Sequence, residues 1–184
     1  MNGALMLNDT SQYAAELRAE IEGLIEPPYH RDLKRLAAQI CDWPDVLERM
    51  NRNACGMVDW LSDHPAIKRV HWSCDESSRD AYLALGGSVE RPGVVVTVEL
   101  TGRLKEFYDH TAFAKGPSFG TSFTLLCPFM YLAHYDLVSN DQGRNHLRSI
   151  GIDPDLVRIS FGVEPLEAIK EEFSRSLDAS LCSQ

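Results

Sequence analysis

The chain has 184 residues, 44% of them hydrophobic and 24% charged, which fits one globular domain with or without an N-terminal arm and excludes a disordered chain. Its formal net charge of −9 argues against a general nucleic-acid binder, which needs basic patches to meet phosphates. No apolar run approaches the roughly 20 residues of a bilayer span, and MNGALMLNDTSQ has no basic stretch ahead of an apolar core, so a soluble, cytoplasmic protein without membrane contact is expected.

The first ten residues carry little pattern and are expected to be mobile. Helical spacing begins after Asp9-Thr10-Ser11, a capping cluster, with Ala14, Leu17, Ile21 and Leu24 on one stripe, and Glu26-Pro27-Pro28 stops it. A second helix is predicted over 31–40 on Leu33, Leu36, Ala37 and Ile40. The longest follows over 45–63, striped by Leu47, Met50, Ala54, Val58 and Leu61 and ended by His64-Pro65. The period then changes. A strand is predicted over 66–72, one helical turn near 78–83, and the clearest strand over 93–100 (GVVVTVEL), which is β-branched and bounded by Pro92 and Gly102. A helix over 103–113 turns Leu104, Phe107 and Tyr108 inward, a strand runs over 122–127 to Pro128, and a short helix over 141–150 ends at Gly151. The last strand covers 156–161, and Glu164-Pro165 opens a closing helix on Leu166, Ile169, Phe173 and Leu177.

This order predicts an α+β fold: a two-layer sandwich of a mainly antiparallel four-stranded sheet with helices on one face. The expected division is an N-terminal arm with helices over 1–44 and a domain over 45–184. A sheet covered on one side leaves its other face for something else.

Alternation sets Val157, Ile159 and Phe161 on one face of the last strand and Leu156, Arg158 and Ser160 on the other. The apolar trio belongs against the helices, so Arg158 points to the open face, where it must meet solvent, a carboxylate or a bound anion. The turn Gly116-Pro117-Ser118-Phe119-Gly120 has glycines that permit close approach, with free N–H groups and a hydroxyl, and the strand after it has a polar-leaning face of Ser122 and Thr124. A hydroxyl, backbone donors and a guanidinium fork suit an amino-acid α-carboxylate. A glycine loop that only reverses the chain, with Ser118 bonding its own backbone, accounts for the turn equally well.

Other residues carry less. Cys41, Cys55, Cys74, Cys127 and Cys182 show no CxxC spacing and read as reduced thiols. His110, His134 and His146 are not spaced as metal ligands, and Trp43, Trp60 and Trp72 read as packing residues.

The segments KGPSFGTSFTLLCPF and GIDPDLVRISFGVEP resemble the C-terminal small domain of the cystathionine gamma-synthase family of pyridoxal-phosphate (PLP) transsulfuration enzymes, and KGPS-hydrophobic-GT looks most like its fungal-type branch. MNRNACGMVDWLSDHPAIKRVHW is similar to the helix and strand that enter that domain, CPFMYLAHYD to the stretch after the serine turn, and IEPPYHRDLKRLAAQI to the inter-domain helices. The resemblance implies the small domain of aspartate-aminotransferase-fold (type I) enzymes. It assigns the substrate carboxylate to Ser118, in SFGT against the family's SLGG, and to Arg158, in LVRISFGVE. Gly120-Thr121 departs from the double glycine of the commoner branch, which leaves the preferred substrate open.

None of Lys34, Lys68, Lys105, Lys115 and Lys170 stands in the Ser/Thr-rich segment where the family's cofactor lysine lies, and no parallel βαβ run precedes the domain to hold a phosphate. The chain alone is therefore expected to bind no PLP, to carry no catalytic residue and to be inactive, as a truncated or separately encoded domain. The expected partners are a separate PLP-binding large domain or subunit and a small amino-acid substrate, with a homo-oligomer left open. The alternative is a non-catalytic descendant that serves as a binding or assembly module.

Overall fold

A computed structural model describes residues 5–181, so Cys182 lies outside the described residues. The chain divides into two compact units, Met1–Pro44 and Asp45–Gln184. In the first, α1 (Ala14–Leu24) and α2 (His30–Gln39) have no buried residue, and Leu17, Leu24, Leu33, Leu36 and Ile40 keep their apolar stripes exposed. Asp9-Thr10-Ser11 does not cap α1. The N-cap is Tyr13, without a side-chain cap, and the Ser11 hydroxyl instead accepts from the Tyr13 N–H in a preceding turn.

In the second unit, α3 (Trp43–Ser62, which begins at the end of the first) leads into five strands: β1 (Ile67–His71), β2 (Val95–Leu100), β3 (Ala114–Lys115), β4 (Leu125–Cys127) and β5 (Val157–Ser160). Their spatial order is β1-β2-β5-β4-β3. The first three pairings are antiparallel and β3 joins β4 in parallel, so the sheet is mixed and five-stranded instead of four-stranded. β3 escapes the sequence because two residues show no alternation and their pairing with β4 alone makes them a strand.

The core follows from alternation. Val96, Val98, Leu126, Val157, Ile159 and Phe161 turn to one face of the sheet, where they meet Met57 and Leu61 of α3, Phe107 of α5 (Leu104–His110), and Ile169, Phe173 and Leu177 of α9 (Leu166–Leu181). Phe107 and Phe173 stack with ring centroids 6.0 Å apart. Trp60 and Trp72 pack against this core, while Trp43 is 53% exposed.

The opposite face is not left bare. Met130, Val138 and Leu147, from α6 (Phe129–Ala133), α7 (Tyr135–Val138) and α8 (Asp141–Ser149), form a second cluster with Phe129, Ile152 and Leu156. Leu156, just before β5, alternates onto the face that carries Arg158, so helices stand on both faces of the sheet instead of on one face only. After α4 (Arg79–Ala84) the chain is irregular up to β2 apart from a bridge between Ser88 and Arg91.

Candidate functional site

In the register, Arg158 stands between Thr97 of β2 and Cys127 of β4, on the face away from the main core. Val157 and Ile159 are fully buried on the other face, which leaves the half-buried Arg158 side chain no choice of direction. The guanidinium donates to the carbonyl of Pro117, and its carbon lies 5.6 Å from the ring centre of Phe119 and 5.0 Å from that of Phe129. Among the described residues it has no carboxylate partner.

That contact brings the two sequence-predicted residues together, because Pro117 precedes Ser118. Ser118 is exposed, and among the described residues its hydroxyl has no hydrogen-bond partner, so it does not cap its own turn. The glycine N–H groups, in contrast, are not free. Gly120 has φ of +71° and donates to the Ser160 hydroxyl at 3.0 Å, and Gly116 donates to the Leu126 carbonyl at 3.0 Å. Both tie the turn to the sheet. Arg158 and Ser160, two apart on β5, thus hold the turn at Pro117 and Gly120.

The expected polar face of 122–127 is absent from the site. The strand begins only at Leu125, and on Arg158's face it presents Leu125 and Cys127. Thr124 is buried elsewhere: its N–H and hydroxyl donate to Glu164 at 2.6 and 3.0 Å, and its hydroxyl accepts from the Gly162 N–H at 3.1 Å. The Asn53 amide of α3 donates to the carbonyls of Gly162 and Glu164 at 2.9 and 2.8 Å. Asn53, Gly162 and Glu164 are the bracing residues that sequence reasoning missed. Their signal was the FGVE ending itself, which places a carboxylate just beyond a glycine after an apolar strand.

Beside the turn lies a recess of about 260 Å³ lined by Tyr108, Lys115, Pro117, Cys127, Tyr131 and Leu132, among others. Burial pushes the Cys127 thiol up, and the neighbouring Arg158 charge opposes that. Cys41, Cys55, Cys74 and Cys127 are free thiols. Among the described residues no three His, Cys, Asp or Glu side chains converge as a metal site, and no helix is long and apolar enough to cross a membrane.

Further along the same face, His71 pairs with Thr97 and Glu99 lies under Lys68 and His71. Burial would raise the Glu99 carboxyl, but hydrogen bonds from Lys68 and His71, each 2.8 Å, outweigh it and hold the group below its ordinary value of 4.5. A carboxylate depressed on folding adds stability above its unfolded pKa, and that stability is lost as pH falls through the folded value. Glu99→Gln is therefore expected to cost about 1–2 kcal/mol at pH 7 and to reduce the loss of stability below pH 4.5. Urea melts between pH 7 and pH 3 check this, and parallel wild-type and variant curves through that range refute it.

The sequence model of the family described as "Cys/Met metabolism PLP-dependent enzyme" matches residues 46–178. The chain belongs to this family. An L-2-amino-4-chloropent-4-enoate dechlorinase/desaturase of Streptantibioticus cattleyicolor is 39% identical over 178 residues, 97% of this chain and 36% of that protein. A cystathionine gamma-synthase of Neurospora crassa is 32% identical over 96% of this chain and 28% of its own length. The chain thus spans about a third of the curated relatives it matches. A crystal structure of a cystathionine gamma-lyase from Micromonospora echinospora superposes with a TM-score of 0.72, covering 89% of this chain and 42% of the other at 22% identity, which supports the fold alone.

Enzymes of this family depend on PLP, and the lysines present do not fit the role of holding it. A cofactor lysine needs a depressed pKa in a desolvated site. Lys68 is bound by Glu99 and Asp153, and Lys105 by Asp109, and these hydrogen bonds raise both above their usual value. Lys170 pairs with Glu167, Lys115 lies 4.9 Å over the Tyr108 ring, and Lys34 sits on the exposed surface of α2.

Proposed function

We propose that residues 45–184 form the C-terminal small domain of a cystathionine gamma-synthase-like enzyme of the fungal-type branch, and that its task is to hold the α-carboxylate of a small amino-acid substrate. Arg158 clamps that carboxylate with its remaining donors, and the Ser118 hydroxyl takes a second oxygen. The single observation that carries this reading is a half-buried guanidinium with no carboxylate partner among the described residues, beside an unengaged serine hydroxyl. A half-buried cation kept un-neutralised beside the turn is arranged for an incoming anion.

The relatives' names point to the same ligand class. L-2-amino-4-chloropent-4-enoate and cystathionine are both α-amino acids, the first with one α-carboxylate and the second with one at each end. Orientation of the substrate is the contribution assigned to this unit. The lysine and PLP are assigned to a large domain carried on another stretch of polypeptide, and this stretch alone is proposed to bind no cofactor and to be inactive.

The test is a titration of the 184-residue chain, labelled with ¹⁵N-arginine, with L-homoserine and separately with the same compound lacking its carboxylate, 3-aminopropanol. The Arg158 side-chain signal, assigned by its loss in Arg158→Lys, is expected to shift with the first ligand only. Equal responses to both, or none, sink the reading and favour a non-catalytic binding or assembly module.

A further inference from the structure

In the proposed carboxylate clamp something other than an acidic side chain must aim Arg158, since none among the described residues does. We propose that α6 is the positioning element for this arginine, acting through the ring of Phe129; the inference rests on the reading of Arg158 as a carboxylate anchor.

Two rings lie against the guanidinium, and they differ in kind. Phe119 is 63% exposed on the turn, whereas Phe129 is half-buried and packs with the second apolar cluster. Phe129 also meets the His134 ring edge-on at 6.2 Å. The ring closer to the guanidinium carbon, at 5.0 Å, is thus the one that cannot swing away.

The helix that carries it is itself locked. The Tyr131 hydroxyl, two residues on, donates to Asp155 at 2.7 Å and accepts from Arg144 of α8 at 3.0 Å, and Arg144 closes the triangle with an ion pair to Asp155. The hydrogen bonds that Arg144 donates to Asp155 and to the Tyr131 hydroxyl hold its charge in place and push its pKa up. Asp155 lies three residues before Arg158 on the chain that enters β5. The triangle therefore fastens α6 to the segment that leads to the arginine, and ring and guanidinium hang from one frame.

The chemistry explains why a ring serves here. A carboxylate would hold an arginine firmly but would consume its donors and cancel its charge. An aromatic face attracts the cation through its quadrupole and leaves the in-plane N–H groups unbonded. Apart from the donation to Pro117, the fork is then presented to a ligand without having to be freed first.

The experiment compares the labelled 184-residue chain with Phe129→Leu, Phe129→Tyr and Tyr131→Phe. In the free chain the Arg158 N–H resonance is expected to be displaced by the ring current, to relax toward the free-arginine position in Phe129→Leu, and to stay in Phe129→Tyr. Affinity for L-homoserine is expected to fall about fivefold in Phe129→Leu and to be restored by tyrosine. Tyr131→Phe keeps both rings and deletes only the hydroxyl of the lock, so it shifts resonance and affinity in the same direction by less, and it reads the inference should Phe129→Leu not fold. A wild-type chain that binds homoserine while Phe129→Leu binds it equally, with the resonance unmoved, overturns the positioning role. Should the wild type ignore homoserine, the carboxylate reading fails, and the ring-current comparison still decides whether Phe129 aims the arginine.

Discussion

Arg158→Leu is expected to weaken amino-acid binding about 100-fold while leaving the fold nearly as stable as before. The two halves of this expectation have separate causes. Binding suffers because the substrate carboxylate, once seated beside the turn, loses the guanidinium fork that pairs with it and keeps its desolvation penalty. Stability is spared because no carboxylate of the described chain relies on Arg158. Its loss costs one hydrogen bond to the Pro117 carbonyl and the packing on two rings, about 1 kcal/mol together. Arg158→Lys should fall between wild type and leucine, because an ammonium keeps the charge but not the planar fork. Calorimetric titration with L-homoserine and a thermal melt on the same samples separate the effects. A leucine variant that binds as tightly as wild type, or one that unfolds, contradicts the assignment.

What could be read from the sequence was what repeats along it. The strands at 95–100 and 157–160 announce themselves by β-branched residues and by alternation, and the direction of Arg158 followed from Val157 and Ile159 alone. Elements that exist because of distant partners were not legible. β3 is two residues long and is a strand only through its parallel pairing with β4. α6 and α7 are one-turn helices behind Pro128 without side-chain caps, and no period could develop over their length. Yet α6 carries the ring nearest Arg158, so the part of the site that the sequence hid is the part that aims it.

The turn shows a subtler gap. Its glycines were visible, but their reasons were not. Gly120 is required by its φ of +71°, and nothing stands within 4 Å of where its Cβ would be. Its N–H, expected to be free for a ligand, is taken by Ser160. Similarly, Ser122 and Thr124 look like half of a polar face, yet Thr124 turns inward to serve Glu164. Alternation tells which way a residue points only where the chain is a strand, and here the strand starts at Leu125, three residues after the predicted start.

Gly162→Ala is expected to destabilise the unit by about 3 kcal/mol and to disorder the turn that carries Ser118. Here space decides, since Gly162 does not need a left-handed backbone. A Cβ at this position would lie 2.5 Å from the Phe123 Cα and carbonyl carbon, a separation that backbone atoms cannot relieve by rotating a side chain. Either the 121–124 segment or the end of β5 must move. Each choice breaks the same set of bonds, because the Gly162 N–H meets the Thr124 hydroxyl, the Gly162 carbonyl meets Asn53, and Glu164 holds Thr124. The segment that would be displaced returns directly from the Ser118 turn, so the Arg158–Pro117 and Gly120–Ser160 contacts loosen with it. Gly120→Ala is the matched control. It strains one backbone torsion in open space and should cost only about 1 kcal/mol without disturbing Phe123. Urea melts give the two costs, and amide exchange over 117–124 gives the disorder. If Gly162→Ala melts like wild type, or if Gly120→Ala proves the more damaging, the FGVE segment is not the brace that holds the carboxylate turn in place.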